Sequence, residues 1–320
     1  MDDVTFKYLT DQYFYSKSLR PRSEKSYLKV VRTFGNFSAV SPADVDHHVV
    51  LGWRHLVLQE QKRAPRTWNN KVAHMRALFN FGIAKGFLPH DENPFYYTQV
   101  RVGKKRKKIL TKNQMEALYR RIELYLDLER VHGNSLLHSR RPNAMLPAWF
   151  WSTVMNVLRY TAMRLGQLLY IRWCDVNLEE RLINLCSEGS KNHNDSQIPI
   201  VDALYPSLEY LMVQAEKAGM EPKHQLFNVG WFHPSHKRKY PELMDEAPLR
   251  SFFRRLSREC KFTVTPHRFR HTVATHMMKS PERNLYVVKR LLGHVSLAST
   301  MEYIDENVDG LRNILETELM

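Results

Sequence analysis

The chain runs to 320 residues, 43% of them hydrophobic, and carries 48 lysines and arginines against 33 aspartates and glutamates, a formal charge of +15. That length suits two domains better than one, and that charge favours a polyanionic partner. Three widely separated cysteines, Cys174, Cys186 and Cys260, give no disulfide framework, no stretch approaches the ~20 apolar residues of a membrane span, and Met1-Asp2-Asp3 does not open a signal peptide, so a soluble cytoplasmic protein without membrane contact is expected.

Residues 1–100 read as helices with polar breaks and hold 14 basic and 9 acidic side chains. Over residues 23–37, Tyr27, Val30, Val31, Phe34 and Phe37 recur at three- and four-residue spacings, the stripe of an amphipathic helix. Residues 66–81 repeat the pattern with Trp68, Val72, Met75, Leu78 and Phe79, while Arg66, Lys71 and Arg76 punctuate it as candidates for DNA phosphates. Gly86 and Pro89 end the helical pattern, and Asn93-Pro94 marks the exit.

Residues 101–112 then carry seven basic side chains and no acidic one, centred on Lys104, Lys105, Arg106, Lys107 and Lys108. Such a run either binds backbone phosphates without reading bases or serves as a solvated spacer. Its place between two globular patterns favours a DNA-tracking linker.

From residue 113 onward the chain reads as a second domain. Thr111 is placed to cap a helix through Met115, Leu118 and Tyr119. Residues 127–147 look like a polar insertion, and residues 158–169 like an apolar helical stretch with Arg164 inside it, where a charge is costly unless paired. Residues 182–185 and 197–201 read as two strands around a turn-rich segment holding Lys191. Helices are expected again over 205–217 and 249–259. His233-Pro234-Ser235-His236 lacks the partners of a zinc site, so no metal and no cofactor is expected.

The second half holds the chemistry. Arg164, the cluster His267-Arg268-Phe269-Arg270-His271, then Gly293-His294 and Tyr303 bring together two arginines, histidines and a tyrosine. Two planar guanidinium forks can clamp a phosphodiester whose transition state gains negative charge, and a tyrosine oxygen can hold the phosphoryl group covalently. His267 and Arg270 are three apart and share a helical face. His271 and His276 are expected to be structural, because not all these histidines can face one phosphate, and Tyr286 is expected in the core. Leu311, Ile314, Leu315 and Leu319 give residues 306–320 an amphipathic tail.

Met163-Arg164-Leu165-Gly166, Lys191, His267-x-x-Arg270-His271-Thr272, Leu292-Gly293-His294 and Thr300-x-x-Tyr303 stand in one order, and with them the chain resembles the tyrosine recombinases, the phage integrase family. The resemblance implies a mainly α fold: an N-terminal helical, SAM-like core-binding bundle over 1–100, a basic linker over 101–112, and a mixed α/β catalytic domain with a small antiparallel sheet over 113–320. No arm-binding domain is expected ahead of the bundle. It also implies a site-specific recombinase that cuts and rejoins DNA through a 3′-phosphotyrosyl bond to Tyr303, with Arg164 and Arg270 as clamps, His267 managing the nucleophile's proton, His294 on a phosphate oxygen and Lys191 as general acid.

The expected partners are double-stranded DNA sites, three further copies in a tetramer joined through the tail, and accessory proteins. One departure stands out: where the family carries an acid three positions after the first arginine, this chain has Gln167.

Overall fold

The structure is a computed structural model describing residues 4–103, 108–138, 143–186, 196–279 and 284–303. The chain divides into two compact units, Met1–Lys105 and Arg106–Met320.

The first unit holds α1 (Phe6–Lys17), α2 (Pro21–Gly35), α3 (His47–His55), which runs on as a π turn over Leu56–Glu60, and α4 (Pro65–Ala84). Local chemistry sets the starts. Thr5 and Asp46 accept the Tyr8 and Val49 amides at the N-termini of α1 and α3, and Pro21 and Pro65 open α2 and α4, where a missing N–H costs nothing. Of the stripe expected on α2, Phe34 is fully buried and Tyr27, Val30, Val31 and Phe37 are half-buried. All five apolar residues expected on α4 are buried.

Aromatic edges fix the core of this unit: Phe34 meets Trp53 at 5.0 Å, Trp53 meets Trp68 at 5.2 Å, and Phe79 meets Phe95 at 4.9 Å. The buried Trp68 indole N–H is satisfied by the Thr98 carbonyl at 2.7 Å. Gly82 lets α1 and the chain after α4 close in, since a Cβ there would lie 2.7 Å from Leu88 and 2.9 Å from Leu9.

The second unit begins with α5 (Lys112–His132), started by a reciprocal capping box between Thr111 and Gln114. The insertion expected from residue 127 does not begin there: α5 continues to His132 and passes into a 3₁₀ turn, Gly133–His138. The polar residues read as loop are the exposed side of an amphipathic helix.

Glu129, near the end of α5, accepts the Ala148 and Trp149 amides and so caps α6 (Ala148–Thr161). Burial holds the Glu129 carboxyl above the usual carboxylate range. Helix α6 carries the unit's core, with Phe150, Trp151, Val154, Met155, Val157 and Leu158 all buried and Trp151 stacked on Phe252 at 4.7 Å. A helix apolar on most sides is one that the rest of a domain surrounds.

Next come α7 (Leu165–Tyr170), then β1 (Val176–Asn177), β2 (Leu182–Leu185) and β3 (Ser196–Pro199), an antiparallel sheet in that order. Val176 pairs with Ile183 and Ile183 with Ile198, which puts three buried apolar side chains on one face. The remaining helices are α8 (Tyr205–Lys217), α9 (Pro234–Lys237), α10 (Ala247–Cys260), α11 (Pro266–Lys279), α12 (Leu285–Leu292) and α13 (Leu297–Met301). The fold is thus mainly α with one small antiparallel sheet. No helix among the described residues is long and apolar enough to cross a membrane.

Candidate active site

Arg164 does not sit inside a helix. Helix α6 ends at Thr161, Ala162 turns left-handed at φ 52°, and Arg164 is extended at φ −75°, ψ 150° as the residue before α7. Thr161 helps make the break, because its hydroxyl donates to the Val157 carbonyl at 2.6 Å and lies 3.3 Å from the Met163 amide. Gln167 then accepts the Arg164 backbone amide at 2.8 Å. The apolar stretch read as continuous is two helices, and the charge is carried by the gap between them.

The Arg164 guanidinium is half-buried. Nη2 makes a long bond to the Gly293 carbonyl at 3.4 Å, while Nη1 is buried with no hydrogen-bond partner among the described residues. Burial pulls its pKa below the ordinary arginine value.

Arg270, only 3% exposed on α11, donates from Nη1 to the Ala162 carbonyl at 2.9 Å and from Nη2 to the Leu292 carbonyl. Both acceptors are terminal carbonyls. Ala162 ends α6 and Leu292 ends α12, each at a left-handed cap, with Gly293 at φ 54°. A helix C-terminus presents unpaired carbonyls and partial negative charge, so it can hold a guanidinium in place without cancelling a full unit of charge. Burial and then the charge of Arg164 push the Arg270 pKa down.

Tyr303 follows α13 and is 6% exposed in a small cluster with Ala162, Ala274, Met278, Val288 and Leu292. Its hydroxyl lies 2.8 Å from His271 Nδ1 and also hydrogen-bonds the side chain of Arg270. His294 stacks on the Tyr303 ring, centroids 6.0 Å apart and planes 16° from parallel. The His294 ring is itself oriented by Thr300, whose buried hydroxyl lies 3.0 Å from Nδ1. His267 is exposed on the first turn of α11 and meets His271 edge-on at 4.1 Å. Thr272 accepts the Leu110 amide at 2.8 Å, tying the start of this unit to α11.

Five expected residues therefore gather: Arg164, His267, Arg270, His294 and Tyr303. His271, read as structural, is the group on the phenol oxygen. Its signal was its spacing, four residues after His267 and on the same helical face. Gln167 likewise has a place, holding Arg164 by its backbone. Tyr286, expected in the core, is 70% exposed, and His276 is exposed on α11. His233 serves locally, accepting the Ser235 amide at the start of α9.

Lys191 and the run Lys104, Lys105, Arg106 and Lys107 lie outside the described residues, as does the tail over 306–320; Lys108 is exposed. Arg66, Lys71 and Arg76 do not form one stripe, since residues five apart on a helix are separated by about 140° around its axis. Arg66 is exposed and Arg76 half-buried. Lys71 bonds the Thr33 hydroxyl at 3.0 Å and lies over Trp53 at 5.2 Å. Burial, with Lys29 and Arg63 nearby, lowers its pKa.

The geometry offers an oxygen nucleophile, two guanidinium groups without carboxylate partners among the described residues, and three imidazoles. That set suits attack on a phosphodiester, where anionic oxygens need donors and the nucleophile needs to lose a proton.

Comparison with known proteins agrees. Residues 109–309 match the phage integrase family. The chain is 35% identical over 317 residues to a protein of Pseudomonas aeruginosa described as a putative tyrosine recombinase XerC, covering 98% of this chain and 71% of the relative. A protein of the same description from Pseudomonas syringae is 32% identical over 316 residues, covering 98% and 64%, so this chain spans about two thirds of the length of these relatives.

Among solved structures, the Tn1549 transposon integrase in complex with a circular intermediate DNA has a TM-score of 0.73 at 16% identity, covering 98% of this chain and 99% of that one. A lambda integrase tetramer bound to a Holliday junction has a TM-score of 0.67 at 18% identity, covering 95% and 78%. These two likenesses are of fold. With the family match and the two relatives, they place the chain in the phage integrase family, and it is a tyrosine recombinase.

Proposed function

We propose that the chain cuts DNA by attack of the Tyr303 oxygen on a phosphodiester clamped by Arg164 and Arg270, holds the 3′ end as a phosphotyrosyl ester, and rejoins it to a new 5′ hydroxyl. The observation that carries this reading is the Arg164 guanidinium, bonded to the Gly293 carbonyl next to Leu292 of the Tyr303 cluster, with Nη1 buried and without a hydrogen-bond partner among the described residues. A buried donor left unpaired is costly, and a phosphate oxygen would satisfy it. His294 supplies a further donor to the same phosphate, and Lys191 protonates the departing 5′ oxygen. No metal enters this chemistry.

Two duplex sites and four copies of the chain make up the working assembly in this reading, with residues 306–320 joining neighbours and accessory proteins acting beside them. The setting we favour is integration or excision of a mobile element, with resolution of chromosome or plasmid dimers as the alternative. The basic run over 101–112, with Arg66, Lys71 and Arg76, takes backbone phosphates. Neutralising Lys104, Lys105, Arg106, Lys107 and Lys108 should flatten the dependence of log affinity on log salt. An unchanged slope would make that run a spacer.

The test is covalent capture. A library of randomised duplexes, each nicked so that the cleaved 5′ end diffuses away, is incubated with the protein in EDTA, and protein-linked DNA is recovered and sequenced. The wild type should enrich a discrete sequence, whose genomic location then separates mobile-element ends from a dimer-resolution site. Tyr303→Phe should capture nothing while still binding the enriched duplex. On that duplex, Lys191→Ala should be rescued by a bridging 5′ sulfur, which leaves without a proton. Capture by Tyr303→Phe, or capture only with added Mg²⁺, would refute the reading.

A further inference from the structure

We infer that His271, in place of His267 to which the family resemblance gives this step, is a catalytic residue that takes the proton from Tyr303 during strand cleavage and returns it during rejoining. The inference rests on Tyr303 being the nucleophile. Its ground is geometric: Nδ1 of His271 lies 2.8 Å from the phenol oxygen, both residues are buried, at 7% and 6% exposure, and the rings are 5.3 Å apart at 46°. A base must lie within hydrogen-bond reach of the proton it removes, and this one already does. Helix α11 fixes the imidazole, since Phe269, Arg270, Thr272, Ala274 and Thr275 around it are all buried.

The step balances without any further reactant. With its own proton on Nε2, His271 accepts the phenol proton at Nδ1 as the bond from the Tyr303 oxygen to phosphorus forms and the bond from phosphorus to the 5′ oxygen breaks. The leaving oxygen takes a proton from the general acid, assigned above to Lys191. On rejoining, the attacking 5′ hydroxyl gives its proton to that amine, and the imidazolium of His271 returns its own to the departing phenolate.

Among the described residues, the charged and titratable groups facing this pair include His267 and Arg270 from α11, His294 from the turn after α12, and Arg164 from the turn before α7. His267 lies on the exposed side of His271, four residues back on the same helix.

The test uses full-length protein on the nicked duplex recovered by covalent capture, with single-turnover cleavage followed against pH. His271→Ala should cleave about 100-fold more slowly or worse at neutral pH, the usual scale of general-base catalysis, and should gain rate as pH rises toward the phenol's own range. His271→Gln keeps a polar group of similar size but cannot carry the proton, so it should share the loss while binding the duplex like wild type. Placing 3,5-difluorotyrosine, a more acidic phenol, at position 303 should restore at least about tenfold to both variants, because a phenol that ionises readily has less need of a base.

A merely structural role for His271 would not respond to phenol acidity. Wild-type cleavage by His271→Gln, or absence of fluorotyrosine rescue in variants that still melt and bind like wild type, would overturn the inference and leave the recombinase reading standing. Failure of the wild type to form any adduct would instead remove that reading and this one together.

Discussion

The second unit uses arginine in two ways. Arg172 is bound to the buried Asp175 carboxylate at 2.9 and 3.1 Å, Arg255 pairs with Glu259, and Arg250 with Glu246. Arg164 and Arg270 have no acidic partner among the described residues; both bond backbone carbonyls, and Arg270 also bonds the Tyr303 hydroxyl. Their pKa values follow suit. The Asp175 and Glu259 carboxylates raise those of Arg172 and Arg255, whereas burial lowers those of Arg164 and Arg270, which also repel each other.

A carboxylate would have stabilised the second pair more, and would have spent its charge. Held by helix ends, that charge stays available for an anion, at a cost in stability that substrate offsets.

The largest effect that tests this contrast is on catalysis. Arg164→Ala should slow adduct formation about 100- to 1,000-fold, the scale for removal of one transition-state donor, yet leave thermal stability unchanged or raised, because a repelling charge is gone. Arg270→Ala should slow cleavage as much but also lower the melting temperature. Its loss strips the Ala162 and Leu292 carbonyls of their donor, at about 1–3 kcal/mol for each group left buried and unpaired. Equal melting losses for both variants would erase the distinction between them.

Arg172→Ala should do the reverse. The buried Asp175 keeps the backbone amide of residue 172 and two thiol contacts but loses its guanidinium and the charge that balances its own, so stability falls by about 1–3 kcal/mol while cleavage per folded molecule is retained. A smaller effect comes from placing an acid at the site. Gln167→Glu should raise stability by roughly 0.5–1 kcal/mol at neutral pH through attraction to the neighbouring arginines, and the gain should shrink in high salt. Its carboxyl, depressed in the fold, would give stability that is present above the unfolded value of about 4.3 and lost as pH falls through the folded one. A gain that persists at low pH would point to packing rather than charge.

Much of this was legible in the sequence because helical period and short motifs are local. The stripes on α2 and α4, the Thr111 cap, the strand at residues 182–185 and the meeting of Arg164, Arg270, His294 and Tyr303 all follow from spacing or from the ordered motifs. What could not be read depends on contacts distant in sequence. The break before Arg164 needs a left-handed Ala162, an unfavourable conformation for a residue with a Cβ, and the Ala162 carbonyl is held by Arg270, 108 residues away. His271 looked structural because one phosphate cannot be faced by every histidine, and periodicity does not say that Tyr303 returns to within 2.8 Å of it. Tyr286 went astray the other way, since an aromatic residue on an amphipathic helix can as well lie on the open side.

The central claim is that the Tyr303 oxygen becomes bonded to phosphorus. The most direct measurement is to digest the captured protein–DNA adduct formed in EDTA and identify, by mass spectrometry, the peptide carrying the residual nucleotide. The expected result is a single modified peptide with the 3′-phosphate on Tyr303. A nucleotide on any other side chain, or DNA cleavage without a covalent adduct that stops when metal is chelated, would contradict the claim.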